Sequence, residues 1–217
     1  MKPNFFITFE GGEGTGKSTQ ARLLADFLEE QGASCLLTRE PGGSPGAEEI
    51  RNLVVKGAVG RWDVMTEALL MFAARRDHLV NTVWPALQEG KTVICDRFAD
   101  STMAYQGFGY ADKGLGQAAV EQLYQTVVGS FKPDLTIILD MPVESGVERA
   151  LKRDANANRY EKMGLDFHRN LRRAFLEIEK KEPNRCVVIN ATGSIEEIHA
   201  AVVSVVQRRL LGIKRHE

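Results

Sequence analysis

The sequence shows no excess of either charge. Its 28 Lys and Arg stand against 29 Asp and Glu, for a net charge of −1. The surface as a whole is therefore not suited to a polyanion such as nucleic acid, and any phosphate site has to be built locally. Cysteine is scarce. Cys35, Cys95 and Cys186 lie far apart, form no CxxC pair, and sit in apolar runs. They read as small buried hydrophobes in a reducing compartment, not as disulfide partners or metal ligands. The four histidines are scattered, with no ligand spacing. No stretch approaches the ~20 apolar residues a membrane span needs. The opening MKPNFFITFEGG holds an apolar run too short for a signal peptide. We therefore expect a cytoplasmic protein with neither a membrane nor a nucleic-acid partner.

What is present is an ordinary globular composition, 43% hydrophobic and 26% charged over 217 residues. That length suits one domain spanning 1–217 and buries roughly 70% of the unfolded surface without staples. Short branched apolar runs at 5–9 (FFITF), 35–38, 92–95, 135–139 and 186–189 each read as a strand buried on both faces. Between them, helical spacing marks 18–30, 65–87, 116–128, 145–153, 167–180 and 195–211. Alternating strands and helices predict a parallel sheet with helices on both faces. Two segments break the rhythm: the Pro/Gly-rich EPGGSPG at 40–46 and the polar DANAN at 154–158. Ligands bind beyond the carboxyl ends of strands in such sheets, and both segments can face that edge.

Gly11, Gly12, Glu13, Gly14, Thr15, Gly16, Lys17 and Ser18 match GxxxxGK[ST], between the first strand run and the first helical run. Glycines let backbone N–H groups curl round an anion, and the helix N-terminus adds partial positive charge. Lys17 then bridges the β- and γ-phosphates, and the Ser18 hydroxyl ligates Mg²⁺. Thr19 stands where a dinucleotide fingerprint needs its third glycine. No NKxD-like sequence follows, which argues against a GTPase. A motor ATPase needs more chain or a coupling partner. A small-molecule kinase needs an acceptor site, and Asp96-Arg97 at the end of the third strand run suits one. Asp96 would orient Mg²⁺ through water, and Arg97 would hold an acceptor phosphate beside the γ-phosphate.

The segments FEGGEGTGKST (9–19), TREPGG (38–43), LLMFAARRDH (69–78), CDRFADSTMAYQG (95–107) and RALKRDANANRYE (149–161) resemble, in this order and spacing, the bacterial thymidylate kinases along nearly the whole chain. The resemblance implies a P-loop NTPase-type three-layer fold with a five-stranded parallel sheet and a short mobile lid, 149–161. It implies transfer of the ATP γ-phosphate to dTMP with Mg²⁺, and a homodimer. The runner-up is another nucleoside monophosphate or deoxynucleoside kinase, and the rival class is a nucleotide-gated ATPase.

The same resemblance implies the acceptor contacts. Arg39, with Pro41 in the TREPGG loop, would clamp the dTMP phosphate together with Arg97, a guanidinium fork matching phosphate oxygens. Phe72 would stack on thymine and Arg76 would donate to a thymine carbonyl, leaving Arg75 on a solvated face. Thr102 would bond the base, Tyr105 would crowd the sugar 2′ position, and Gln106 would be a further sugar or phosphate neighbour. Glu10 would face the sugar 3′-hydroxyl or the metal's water. None of Gly12, Glu13, Gly14 and Thr15 is basic, so the transferring group needs a cation from the lid. Either Arg153 or Arg159 would close over the γ-phosphate, with Arg149 nearer the adenine. No general base is needed, because the dTMP phosphate is already a nucleophile near neutral pH.

Overall fold

The structure is a computed structural model and describes residues 4–153, 159, 160, 162–210 and 212. The DANAN stretch of the expected lid lies outside the described residues, and so does the side chain of Arg153.

Five strands form one parallel sheet: β1 (Phe6–Glu10), β2 (Cys35–Arg39), β3 (Thr92–Asp96), β4 (Leu135–Asp140) and β5 (Cys186–Asn190), in the order β2-β3-β1-β4-β5. The parallel register pairs Phe9 with Asp96 and Arg39 with Asp96. Glu10, Arg39 and Asp96 therefore end on one edge of the sheet, which is where a ligand crevice belongs. The inner strands β1, β3 and β4 are buried on both faces, as their unbroken apolar runs require. β2 and β5 are only half-buried. The expectation of burial on both faces fails for these two because each is an edge strand. Cys35 on β2 is half-buried accordingly, whereas Cys95 and Cys186 are buried, and all three thiols are free.

The helices are α1 (Lys17–Glu30), α2 (Pro45–Val55), α3 (Val64–His78), α4 (Trp84–Gln88), α5 (Ala99–Thr102), α6 (Gly116–Val127), α7 (Val143–Arg153), α8 (Leu165–Lys181) and α9 (Ile195–Arg209). On one side of the sheet, Leu24 and Leu28 of α1 and Ile198, Val202 and Val205 of α9 pack against Ile7, Phe9 and Ile137. On the other, Phe72, Leu79 and Val83 meet Phe6, Val93 and Phe98, while Leu171 and Phe175 of α8 cover Ile138. The result is three layers. The single helical run at 65–87 is α3 continuing through a π-helical turn, Leu79–Val83, into α4. Pro85 has no N–H to donate four residues back, so the ladder widens just before it.

α2 begins within the 40–46 segment expected as a loop and continues through residues not marked among the helical runs. Its first residues, Ser44-Pro45-Gly46, read as turn punctuation, yet Pro is at home in a first helical turn, where its missing N–H costs nothing. Asp77 of α3 caps this end: its Oδ2 accepts from Ser44 Oγ at 2.5 Å and from Ala47 N at 3.1 Å. A partner so distant in sequence leaves no local signature. Among the described residues no helix is long and apolar enough to cross a membrane.

Candidate active site

β1 runs directly into the phosphate loop, whose turn uses Gly11 (φ 128), Gly14 (φ 69) and Gly16 (φ 89), a region side chains rarely adopt. At Gly14 space also demands glycine, since an added Cβ would lie 2.0 Å from the Gly146 carbonyl oxygen of α7. Reciprocally, a Cβ on Gly146 would lie 2.6 Å from the Glu13 carbonyl oxygen. Loop and helix therefore touch backbone to backbone. Lys17 opens α1, and its ammonium donates to the Gly12 carbonyl at 2.6 Å. Burial, then the neighbouring Arg97, lower it to about 8.

Beside this loop opens a cavity of about 330 Å³. The loop and the start of α1 contribute Glu13, Lys17, Ser18 and Thr19, the end of β2 contributes Arg39, and the stretch after it contributes Pro41. α2 and α3 contribute Arg51, Val55, Met71 and Arg75. The rest of the wall includes Asp96, Arg97, Ser101, Thr102, Tyr105, Gln106 and Tyr160. Lys17, Arg39 and Arg97 thus face a common space, the condition for bringing two phosphates together.

Ser18 Oγ donates to Asp96 Oδ2 in a short hydrogen bond, while Asp96 Oδ1 is buried with no hydrogen-bond partner. A hydroxyl, a carboxylate and an unsatisfied buried oxygen suit a hard divalent cation. Among the described residues no three His, Cys, Asp or Glu side chains gather to hold a metal.

Arg97 has φ 71, a left-handed conformation that costs a residue with a side chain about 1–3 kcal/mol. Its guanidinium donates to Gly11 O at 3.0 Å, Ser101 Oγ at 3.1 Å and Glu13 Oε1 at 3.1 Å, and lies over the Tyr105 ring. Tyr105 OH donates to the same Glu13 oxygen at 2.6 Å. Burial alone would raise the Glu13 carboxyl, but Arg97, Lys17 and Tyr105 overcome it and hold it at about 2.

The structure corrects several expected contacts. Arg75, not Arg76, enters the site. Arg75 is buried, with Nε on Glu40 at 2.8 Å, one terminal nitrogen on Thr102 Oγ1 at 3.0 Å, and the other, NH1, unpartnered. Arg76 is exposed, caps the Val127 carbonyl and stacks on Trp84. Adjacent helix residues point about 100° apart, and the phase of α3 turns the first arginine inward. The same phase removes Phe72 from the cavity: it is 1% exposed within the core, and Met71 lines the wall in its place.

Glu10 does not reach the cavity. Its Oε1 accepts from the N–H groups of Phe98 at 2.7 Å and Ser101 at 3.2 Å, and its Oε2 from Ser101 Oγ at 2.6 Å. Glu13, three residues on, does line the cavity. Arg159 is not poised over the phosphate loop either. It is buried in an ion pair with Glu67 and donates to the Val54 carbonyl and to Tyr160 OH. Arg149 lies on the exposed side of α7.

Arg51, Val55, Met71 and Tyr160 went unrecognised in the sequence. Arg51 donates to the Pro41 carbonyl at 2.7 Å, and its charge is disfavoured first by burial and then by Arg39. The only signal for Arg51 and Val55 was the periodicity of α2, hidden behind its Pro/Gly start.

Comparison with known proteins gives one answer. The thymidylate kinase family profile matches residues 9–202. A thymidylate kinase of Caulobacter vibrioides is 53% identical over 210 residues, covering 97% of this chain and 99% of that protein. One from Dinoroseobacter shibae is 50% identical over 203 residues, covering 94% and 96%. The crystal structure of thymidylate kinase from Ehrlichia chaffeensis superposes with a TM-score of 0.75 at 37% identity, covering 94% of this chain and 99% of that one. With the phosphate loop, the paired cation wall and these likenesses together, the chain belongs to the thymidylate kinase family.

Proposed function

We propose that the cavity is where ATP, seated on the phosphate loop, hands its γ-phosphate to dTMP, giving dTDP and ADP. The observation that carries this reading is the convergence of Lys17, Arg39 and Arg97 on one space beside Asp96. Lys17 leaves its own loop carbonyl for the β- and γ-phosphates. Arg97, with Arg39 and Arg51, holds the dTMP phosphate in line. That phosphate is mostly dianionic near pH 7, its second pKa being about 6, and needs no base. Catalysis then rests on positioning and on cancelling charge between two anions. Mg²⁺ held at Ser18 and, through water, at Asp96 would neutralise charge on the β- and γ-oxygens.

On the acceptor side, the unpartnered nitrogen of Arg75 supports donation to a thymine carbonyl, with Thr102 beside it. Met71 and Val55 offer the base an apolar wall. The free Gln106 Oε1 supports a contact to the base or sugar. Tyr105 crowds the sugar 2′ position, and Glu13 accepts from its 3′-hydroxyl. With Arg159 bound to Glu67, the lid cation falls to Arg153. Arg153→Ala is expected to cut kcat while dTMP affinity holds, and an unchanged kcat would remove Arg153 from the role. The chain acts as one nucleoside monophosphate kinase domain, 1–217, with its lid at 149–161. Leu53 of α2 and Met65 and Leu69 of α3 are 43%, 41% and 50% exposed, an apolar face that supports a homodimer. Sedimentation equilibrium tests the dimer.

A panel of nucleoside monophosphates offered with ATP tests the whole reading. Preference for dTMP is the expected result. Phosphate release that needs no acceptor would replace the kinase with an ATPase.

A further inference from the structure

We propose that Glu10 is a positioning residue for Arg97: from beneath the sheet edge its carboxylate pins the turn 97–101 and so aims the guanidinium into the cavity. This rests on Arg97 being the cation that holds the acceptor phosphate. The backbone at Arg97 is left-handed, and such a conformation persists only where its surroundings over-determine it. Glu10 is fully buried and supplies that constraint. Its Oε1 accepts from the two N–H groups that follow Arg97, those of Phe98 and Ser101, and its Oε2 accepts from Ser101 Oγ. The Ser101 hydroxyl in turn accepts from Arg97 NH1 at 3.1 Å. A single carboxylate therefore ties down both the main chain and, through one hydroxyl, the side chain of the arginine. Its oxygens do not line the cavity themselves, so apart from the charge felt at Lys17 this turn is its reach on the reaction.

The charges around Glu10 make this anchor responsive to pH. Burial first, then Asp100 on α5, push its carboxyl up to about 7, against Arg97 and the hydrogen bonds from Ser101 and Phe98. Lys17 of α1, Cys95 of β3, Tyr105 and Cys186 of β5 also feel its charge. Protonation removes acceptor capacity from the carboxylate, loosens Ser101 and frees Arg97. Grip on the acceptor phosphate should therefore weaken as pH falls through about 7.

The test is steady-state kinetics from pH 6 to 9 on the wild type, Glu10→Gln, Ser101→Ala, Arg97→Lys and the Glu10→Gln/Arg97→Lys pair. Glu10→Gln keeps one oxygen to accept from the two N–H groups, but its Nε2 is a donor only and cannot accept from the Ser101 hydroxyl. It is expected to lower kcat/KM for dTMP by about 10–100-fold, to leave KM for ATP within about twofold, and to melt no lower than wild type at pH 8. The inflection near pH 7 in the wild-type dTMP profile should vanish in Glu10→Gln, which separates it from the titration of dTMP itself. In the Arg97→Lys background Glu10→Gln should add nothing. Should Glu10→Gln not fold, Ser101→Ala is expected to show the same dTMP bias at severalfold size. Wild-type kinetics in the folded variants, equal loss toward ATP and dTMP with a lower melting point, or full additivity with Arg97→Lys would each overturn the assignment. A wild type that does not phosphorylate dTMP would instead overturn the reading of the site beneath it.

Discussion

The donor and acceptor halves of the cavity are built in opposite ways. The phosphate loop is eight consecutive residues running from the end of one strand into the first turn of one helix, and most of its binding groups are backbone N–H. The acceptor wall draws single side chains from β2, α2, α3, β3, the turn after α5 and the chain at Tyr160. A contiguous backbone site survives small errors of helical phase, whereas an assembled side-chain site does not.

Breaking the donor half should have the largest effect. Lys17→Ala is expected to lower kcat by about 10³-fold, the scale for removing a cation from a developing phosphoryl charge, in a coupled assay of ADP release. On the acceptor half the sharpest test is the neighbouring pair. Arg75→Ala should weaken dTMP binding by about 10–100-fold, the worth of a charged hydrogen bond, and spare ATP. Arg76→Ala should stay within about twofold for both, measured by calorimetry. Reversal of that pair would put α3 in the other phase.

Met71 and Phe72 repeat the question in apolar terms. Met71→Ala should cost dTMP affinity about tenfold, roughly the burial of a methylene or two, without lowering the melting point much. Phe72→Ala should instead lose about 3–5 kcal/mol of stability, as a large core truncation does, read by urea unfolding. The smallest effect is on pH. Lys17 sits at about 8 in the free protein, so ATP affinity should fall above that pH, by at most about tenfold per unit.

This asymmetry explains what was readable. Five strands, their parallel sense and the phosphate loop follow from periods and motifs that are local in sequence. Asp96 and Arg97 were readable because they end an apolar run, which fixes the sheet edge they occupy. Arg75 and Arg76 were not separable: two identical side chains on one helix differ only in phase, and phase is set by what α3 packs against. Glu10 stands just before the loop and Glu13 within it, and only the backbone path from β1 shows which carboxylate lines the cavity. α2 was lost because its cap, Asp77, comes from another helix.

The contact between Gly14 and Gly146 leaves no room for any side chain where the loop passes under α7. A basic residue at position 14 would have to lever that helix off the loop to fit. A cation within the loop and the proposed lid arginine on the segment carried by α7 would thus be rival solutions, because the first would displace the helix that carries the second. A descendant of this chain could exchange one for the other only by moving helix and charge in the same step.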